Sequence, residues 1–314
     1  MPYIIIAGPT ASGKSALALE LAKQHNAIII NADSMQWYQD LPTLTAQPTA
    51  AEKAAVPHYL YGTLDNNADG SVTLWQTMAL DVLKAGDRLA IVVGGSGLYL
   101  HSLTHGMSPV IDIPDAIRTD VRDLAKSMPI EEFSALVLAE DPELASNAPP
   151  VDRQRLSRAL EVKRTTGQSI RTLQGNAEAP LPAPLAYIVL APNRAELCER
   201  INQRVLHMLE GNALDEIRAF WEKNPPKNCL LRKAIGLTPL TAYLNDELSR
   251  TAAIELMQIQ TRQYAKRQTT WFKGQSPDYA WVNPTFDEVS KLVQIKENVE
   301  CLKHITDSSN HHPW

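Results

Sequence analysis

Long apolar runs are missing from this chain. No stretch approaches the roughly 18 apolar residues that a membrane helix needs, and the N-terminal run Tyr3 to Ala7 is too short for a signal peptide. The expectation is a cytoplasmic protein with no membrane partner. Cysteine is equally scarce. Cys198, Cys229 and Cys301 lie far apart, which excludes a CxxC metal knuckle and a disulfide framework. A basic excess is lacking too: 30 Lys and Arg stand against 35 Asp and Glu, a net charge of -5. Globally that argues against a nucleic-acid partner, although local clusters can reverse it.

With 44% hydrophobic and 21% charged residues, the composition is that of a globular protein, not of a disordered or fibrous chain. At 314 residues it is about twice the usual domain size, so a large core, or a core plus an inserted lobe, is expected. The first third alternates short apolar runs with helical patterns: Tyr3 to Ala7, Ala16 to Gln24, Ala27 to Ile30, Thr73 to Lys84, Arg88 to Val93. Such alternation predicts βαβ units and a parallel sheet. From Pro109 to about Pro184 the strand signals vanish. Ile117, Val121 and Leu124 recur at helical spacing there, after the start signal Pro114-Asp115. The strand-like run Ala186 to Ala191 restores the sheet pattern, and long helices are expected from about Ala195 to Lys223 and Ser249 to Phe272. The predicted organisation is a first core part (1–110), a helical insertion (111–182), a second core part (183–280) and a tail (281–314) ending in His311, His312, Pro313 and Trp314. The tail is expected to be frayed.

Gly8-Pro9-Thr10-Ala11-Ser12-Gly13-Lys14-Ser15 fits G-x-x-x-x-G-K-[ST], directly after an apolar run and at the start of an amphipathic helix. Backbone N–H groups of Gly8, Thr10, Ala11, Ser12 and Gly13 can curl around phosphate oxygens, Lys14 neutralises them, and the Ser15 hydroxyl can ligate Mg²⁺. The fold class predicted is α/β, a P-loop NTPase-like parallel-sheet core with an inserted all-helical lobe. Work-producing ATPases also need an apolar strand ending in an acid. Here the best candidate strands run into Gly94-Gly95-Ser96-Gly97 and into Pro192, so hydrolysis for work is not expected. The one carboxylate close after an early strand is Asp33, which a doubly wound sheet would set beside the P-loop as a base. Taken alone, Asp33 also reads as a helix cap, Ser96 as a turn residue and Arg204 as a solvated helix charge.

Several segments, in order, resemble the bacterial tRNA dimethylallyltransferases: the P-loop, Asp33-Ser34-Met35-Gln36 with Tyr38, Val93 to Tyr99, Gln154 to Val162, Arg204-Val205, Ala234-Ile235-Gly236, and Gln263 to Gln268 leading to Trp271-Phe272. The resemblance spans residues 3 to about 275. It implies transfer of a dimethylallyl group from dimethylallyl diphosphate to N6 of the adenosine after the anticodon of tRNA. Asp33 is then the base, with Lys14, Mg²⁺ on Ser15, Ser96 and Arg204 around the leaving diphosphate.

It also implies tRNA contacts from Asp33, Ser34, Met35, Gln36, Ser96, Arg118, Gln154, Arg155, Leu156, Ser157, Arg158, Lys233, Gly236, Arg262, Lys266 and Lys273. Gln36, with donor and acceptor, is placed to read the target base, which must swing out of the anticodon stack. The basic groups involved are Arg153 to Arg164 with one acid, Glu161; a stripe of Arg262, Lys266 and Lys273; and Lys227, Arg232 and Lys233. Each also reads as a solvated, salt-bridged surface. A monomer is expected. Where many relatives have Gly-Thr-Ala-Lys-Pro, this chain has Leu44-Thr45-Ala46-Gln47-Pro48. A small-molecule kinase, a prenyltransferase acting on free adenylate, and a non-catalytic P-loop module are the rival readings.

Overall fold

The computed structural model describes residues 1–108, 110–146, 152–175, 178–278, 280–291 and 293–294. The terminal His311 to Trp314 and Cys301 lie outside them; Cys229 is buried and Cys198 half-buried. In chain order the elements are β1 (Tyr3–Ala7), α1 (Lys14–Gln24), β2 (Ile28–Asn31), α2 (Pro42–Thr45), α3 (Ala50–Ala55), β3 (His58–Tyr59), α4 (Val72–Ala85), β4 (Ala90–Gly94) and α5 (Gly97–His105). Then come α6 (Asp115–Ser127), α7 (Ile130–Glu140), α8 (Arg153–Thr166) and α9 (Ile170–Gly175). The chain continues with β5 (Ala186–Val189), α10 (Arg194–Glu210), α11 (Ala213–Glu222), α12 (Leu237–Leu244), α13 (Arg250–Gln275) and β6 (Trp281–Val282).

Two compact units result: Met1–Thr104 together with the chain from Pro182 onward, and His105–Leu181. In the first, six parallel strands are ordered β3-β2-β4-β1-β5-β6. Every residue of β1, β2, β4 and β5 is buried. That is why these strands read as unbroken Ile/Val/Ala runs, since helices cover both faces of a parallel sheet. In register, Ala7 pairs with Gly94, and Asn31 with Val93. The chain therefore leaves β1, β4 and β2 at one level of the sheet, with Gly8, Gly95 and Asp33 all just past that edge.

Two expectations need correcting. The predicted long helix from Ala195 breaks into α10 and α11, because Gly211 adopts an extended conformation and ends the first. The tail does not begin at 281 as a separate piece: β6 pairs with β5, and Val289 and Val293 are buried in the core under the sheet. The apolar spacing behind both facts was weak, two strand residues and two isolated valines.

The second unit is held by Val121, Phe133, Val137, Leu144, Leu156 and Leu160, contributed by α6, α7, α8 and the turn after α7. Arg164 bridges Asp120 of α6 (2.5 Å) and Glu140 of α7 (2.6 Å). Phe133 is fully buried, so Phe133→Ala should destabilise this unit by about 3–5 kcal/mol, read as a lowered denaturation midpoint by circular dichroism.

Candidate active site

The turn between β1 and α1 is built from unusual backbone. Gly13 caps α1 at φ 95°, left-handed, and Ala11 also has positive φ (61°), which turns successive N–H groups the same way round. Gly8 is buried at the end of β1, where an added Cβ would lie 2.6 Å from the Leu190 carbonyl oxygen. Lys14 Nζ donates back to the Pro9 carbonyl (3.1 Å). Thr10, Lys14 and Ser15 line a cavity of about 280 Å³, joined by Asp33, Ser34, Met35 and Gln36 from the β2 end and by Arg204 of α10 and Lys233. A neighbouring hollow is lined by Ala11, Ser12, Gly13, Lys14, Ser15, Arg200 and Arg204.

Asp33 is fixed from below. Fully buried Asn31 accepts from the Asp33 N–H (2.8 Å) and donates to the carbonyls of Asp33 (2.9 Å) and Leu60 (2.8 Å). Trp75 Nε1 donates to the Asn31 carbonyl (2.7 Å), and Asp33 Oδ1 accepts from Met35 N–H (3.0 Å). Among the described residues, Asp33 is the one carboxylate lining the cavity, whose wall also carries Lys14, Arg204, Lys233 and Arg267. Burial lowers the Lys14 ammonium to about 8, with Asp33 pulling it up and Arg204 pushing it further down. Burial likewise lowers Arg204, opposed by Asp33. Ser96 does not line the cavity; its Oγ accepts from the Ser34 N–H (3.0 Å) and bonds to the Tyr264 side chain.

Other predicted residues fall differently. Gln36 gives both amide hydrogens to the carbonyls of Thr45 and Ala46 (2.9 Å each), so it holds the 41–47 loop, where a base reader was expected. Gly236 is buried against Met257, and Leu156 sits in the core of the helical unit. Leu156 offers no side chain to a partner because apolar burial has claimed it, and Gly236 has none to offer. Arg262 donates to Asn202 of α10 (2.7 Å), and Arg232 lies over the Trp221 ring and donates to the Pro225 carbonyl. Lys266 and Lys273 are exposed, as is Lys227. In the helical unit, Arg118 pairs with Asp115, Arg155 with Asp152 and Arg158 with Glu161, while Arg153 donates to the Ala125 carbonyl. Gln154 is exposed and Ser157 half-buried.

Sequence reasoning missed Leu44, Met208, Met257, Thr261, Tyr264 and Arg267 as cavity residues. A signal existed on α13: Met257, Thr261, Ala265, Gln268 and Phe272 recur every three or four residues and are all buried, and two of them are polar. The departing loop owes its shape to Glu216 of α11, whose carboxylate accepts from Thr43 N–H (2.9 and 3.0 Å) and Leu44 N–H (3.3 Å). Gln47, standing in for lysine, turns inward to donate to the Tyr38 carbonyl (2.7 Å).

A P-loop that opens onto a carboxylate and several cations, with sheet strands ending in glycine and valine in place of an acid, defines a P-loop enzyme suited to group transfer. The chain belongs to the IPP transferase family, whose model matches residues 36–275. It is 43% identical over 298 residues to the tRNA dimethylallyltransferase of Beijerinckia indica, covering 93% of this chain and 99% of that protein. The solved full-length tRNA isopentenylpyrophosphate transferase of Bacillus halodurans superposes with a TM-score of 0.64 at 28% identity, over 99% of each chain. A eukaryotic dimethylallyltransferase solved while acting on tRNA gives 0.72 at 28%, over 87% of this chain and 70% of that one.

Two outcomes follow from these contacts. Between pH about 8 and 10.5 the unfolded chain still binds the Lys14 proton and the folded, ligand-free chain does not, so that window should add stability as pH rises. Pyrophosphate affinity, which needs the charged lysine, should fall over the same window by up to about tenfold per pH unit, measured by calorimetry beside thermal unfolding. Glu216→Gln should speed amide exchange at Thr43 and Leu44 roughly tenfold or more, with sheet amides unchanged, because charge-assisted bonds are lost.

Proposed function

We propose that this enzyme transfers the dimethylallyl group of dimethylallyl diphosphate to N6 of the adenosine following the anticodon of tRNA, releasing pyrophosphate. The observation that carries this reading is the lone cavity carboxylate, Asp33, set opposite Lys14 and Arg204 in the mouth of the P-loop. An adenine amine is a weak nucleophile because its lone pair is delocalised into the ring. As N6 bonds to C1 of the allyl group, Asp33 takes the N6 proton, and the C1–O bond breaks with its electron pair leaving on the diphosphate. Charge grows on that leaving oxygen. Lys14, Arg204 and the N–H groups of the P-loop are held around it before the reaction starts, and they stabilise the transition state more than the ground state.

Ser15 offers a hydroxyl oxygen, a donor type that suits Mg²⁺, at the cavity wall, and it is the residue that would hold the ion. When bound, it would neutralise part of the diphosphate charge. Exposed Gln154 and Arg155, half-buried Arg118, Ser157 and Arg158, and exposed Lys233, Lys266 and Lys273 remain the side chains suited to phosphate and sugar contacts with the tRNA.

Labelled dimethylallyl diphosphate should mark unmodified tRNA and leave free AMP unlabelled. Label on AMP alone, or nowhere, would overturn the reading. Asp33→Asn should lower turnover by about 10²–10⁴-fold while pyrophosphate affinity stays within a few fold, which separates an enzyme from a binding module.

A further inference from the structure

Gln268 of α13 has its side-chain amide divided between two loops. Its Oε1 accepts from the Thr10 N–H of the P-loop (2.8 Å), and its Nε2 donates to the Gly95 carbonyl in the β4–α5 turn (2.9 Å). The residue is only 5% exposed, and its bond to Gly95 is buried while the one to Thr10 is partly so. Contact on the glycine side is close: a Cβ on Gly95 would lie 2.1 Å from Gln268 Nε2 and 3.2 Å from the Gly8 carbonyl oxygen. The next residue, Ser96, accepts through Oγ from Ser34 N–H (3.0 Å), beside Asp33. A continuous path therefore runs from the phosphate cradle through Gln268 to the turn bearing Ser96, and from there to the loop bearing the base. No backbone hydrogen bond links Thr10 to Gly95 directly among the described residues.

We propose that Gln268 is a positioning residue: by filling one donor and one acceptor at once, it sets the distance between the diphosphate cradle and the Asp33–Ser96 side of the site. The inference rests on the transfer reaction proposed above. It reaches the chemistry through geometry, because Gln268 itself lines no part of the cavity. The requirement is for an amide. A methionine of similar length supplies neither group, and a carboxylate supplies an acceptor on both sides and faces the Gly95 carbonyl with a repelling charge. A protonated carboxyl group restores one donor and one acceptor.

The test uses full-length enzyme, labelled dimethylallyl diphosphate and unmodified tRNA, with Gln268→Met and Gln268→Glu compared to wild type from about pH 5.5 to 8. Gln268→Met should lose about 10–100-fold in kcat at every pH, with pyrophosphate affinity within about threefold, the pattern of misplaced reacting groups on an intact cradle. Gln268→Glu should be equally impaired at high pH and regain turnover relative to wild type as pH falls and its carboxyl protonates. Exchange of the Thr10 amide should quicken in Gln268→Met. Three outcomes would overturn the proposal: a methionine variant within twofold of wild-type kcat, a kcat loss matched by an equal loss of pyrophosphate binding or folded protein, or a glutamate variant whose ratio to wild type does not change with pH. If wild type itself labels no tRNA, the functional reading fails instead, and the Thr10 exchange rate still decides whether Gln268 holds the cradle.

Discussion

Three parallel strands stop at one level, and the turns that carry the P-loop, Asp33 and Ser96 are built on that register. Ala7 lies beside Gly94 and Val93 beside Asn31, so the turns that follow leave the sheet side by side. Hydrogen bonding between parallel strands fixes this to the residue, since a slip by one would turn each fully buried strand's neighbours out of step. The Ser96 N–H then reaches the Ala32 carbonyl (3.1 Å), and Asn31 can pin both ends of the turn that carries Asp33. The helices act second. α13 and α10 lay their inner faces across the sheet edge and contribute Tyr264, Gln268 and Arg204 to turns whose positions the strands have already settled.

Charge at the cavity is arranged against the usual economy of protein interiors. Two cations, Lys14 and Arg204, are partly withdrawn from water with a single carboxylate between them, and burial disfavours the charged form of each. Such a deficit of negative charge is what an incoming diphosphate would make good. The surface arginines of the helical unit behave otherwise: Arg118, Arg155 and Arg158 lie three residues from acids of their own helix or its cap and, being solvated, gain little from them. They remain free to exchange those partners for phosphates at small cost.

Legibility in the sequence followed the range of the interactions. The P-loop, its strand and its helix were readable because they form one continuous segment whose glycines and apolar spacing carry the information. Asp33 was readable as a carboxylate at a strand end, its place beside Lys14 following from sheet topology alone. What escaped were contacts between distant residues. The periodicity of α8 does set Leu156, which recurs with Ala159 and Leu160 on the buried face, apart from Arg155 on the surface; it was the motif that grouped the two as tRNA contacts. Gln36 carries the donor and acceptor of a base reader, yet the loop at 45 and 46 takes both its hydrogens. Arg164 and Arg232 belong to basic clusters by sequence and act as struts in space, one between two carboxylates and one over an indole. β6 was too short, at two residues, to register as a strand.

The lowered proton affinity of Lys14 has a thermodynamic meaning for catalysis. Stripping water from an ammonium group is costly, and in this molecule the sheet and helix packing have done part of it before any ligand arrives. The stability of the fold is correspondingly smaller than its packing alone would give. In return, the cradle meets its anion with its ammonium already partly desolvated, and part of the reorganisation that water would demand at the moment of bond cleavage has been transferred to the folding reaction.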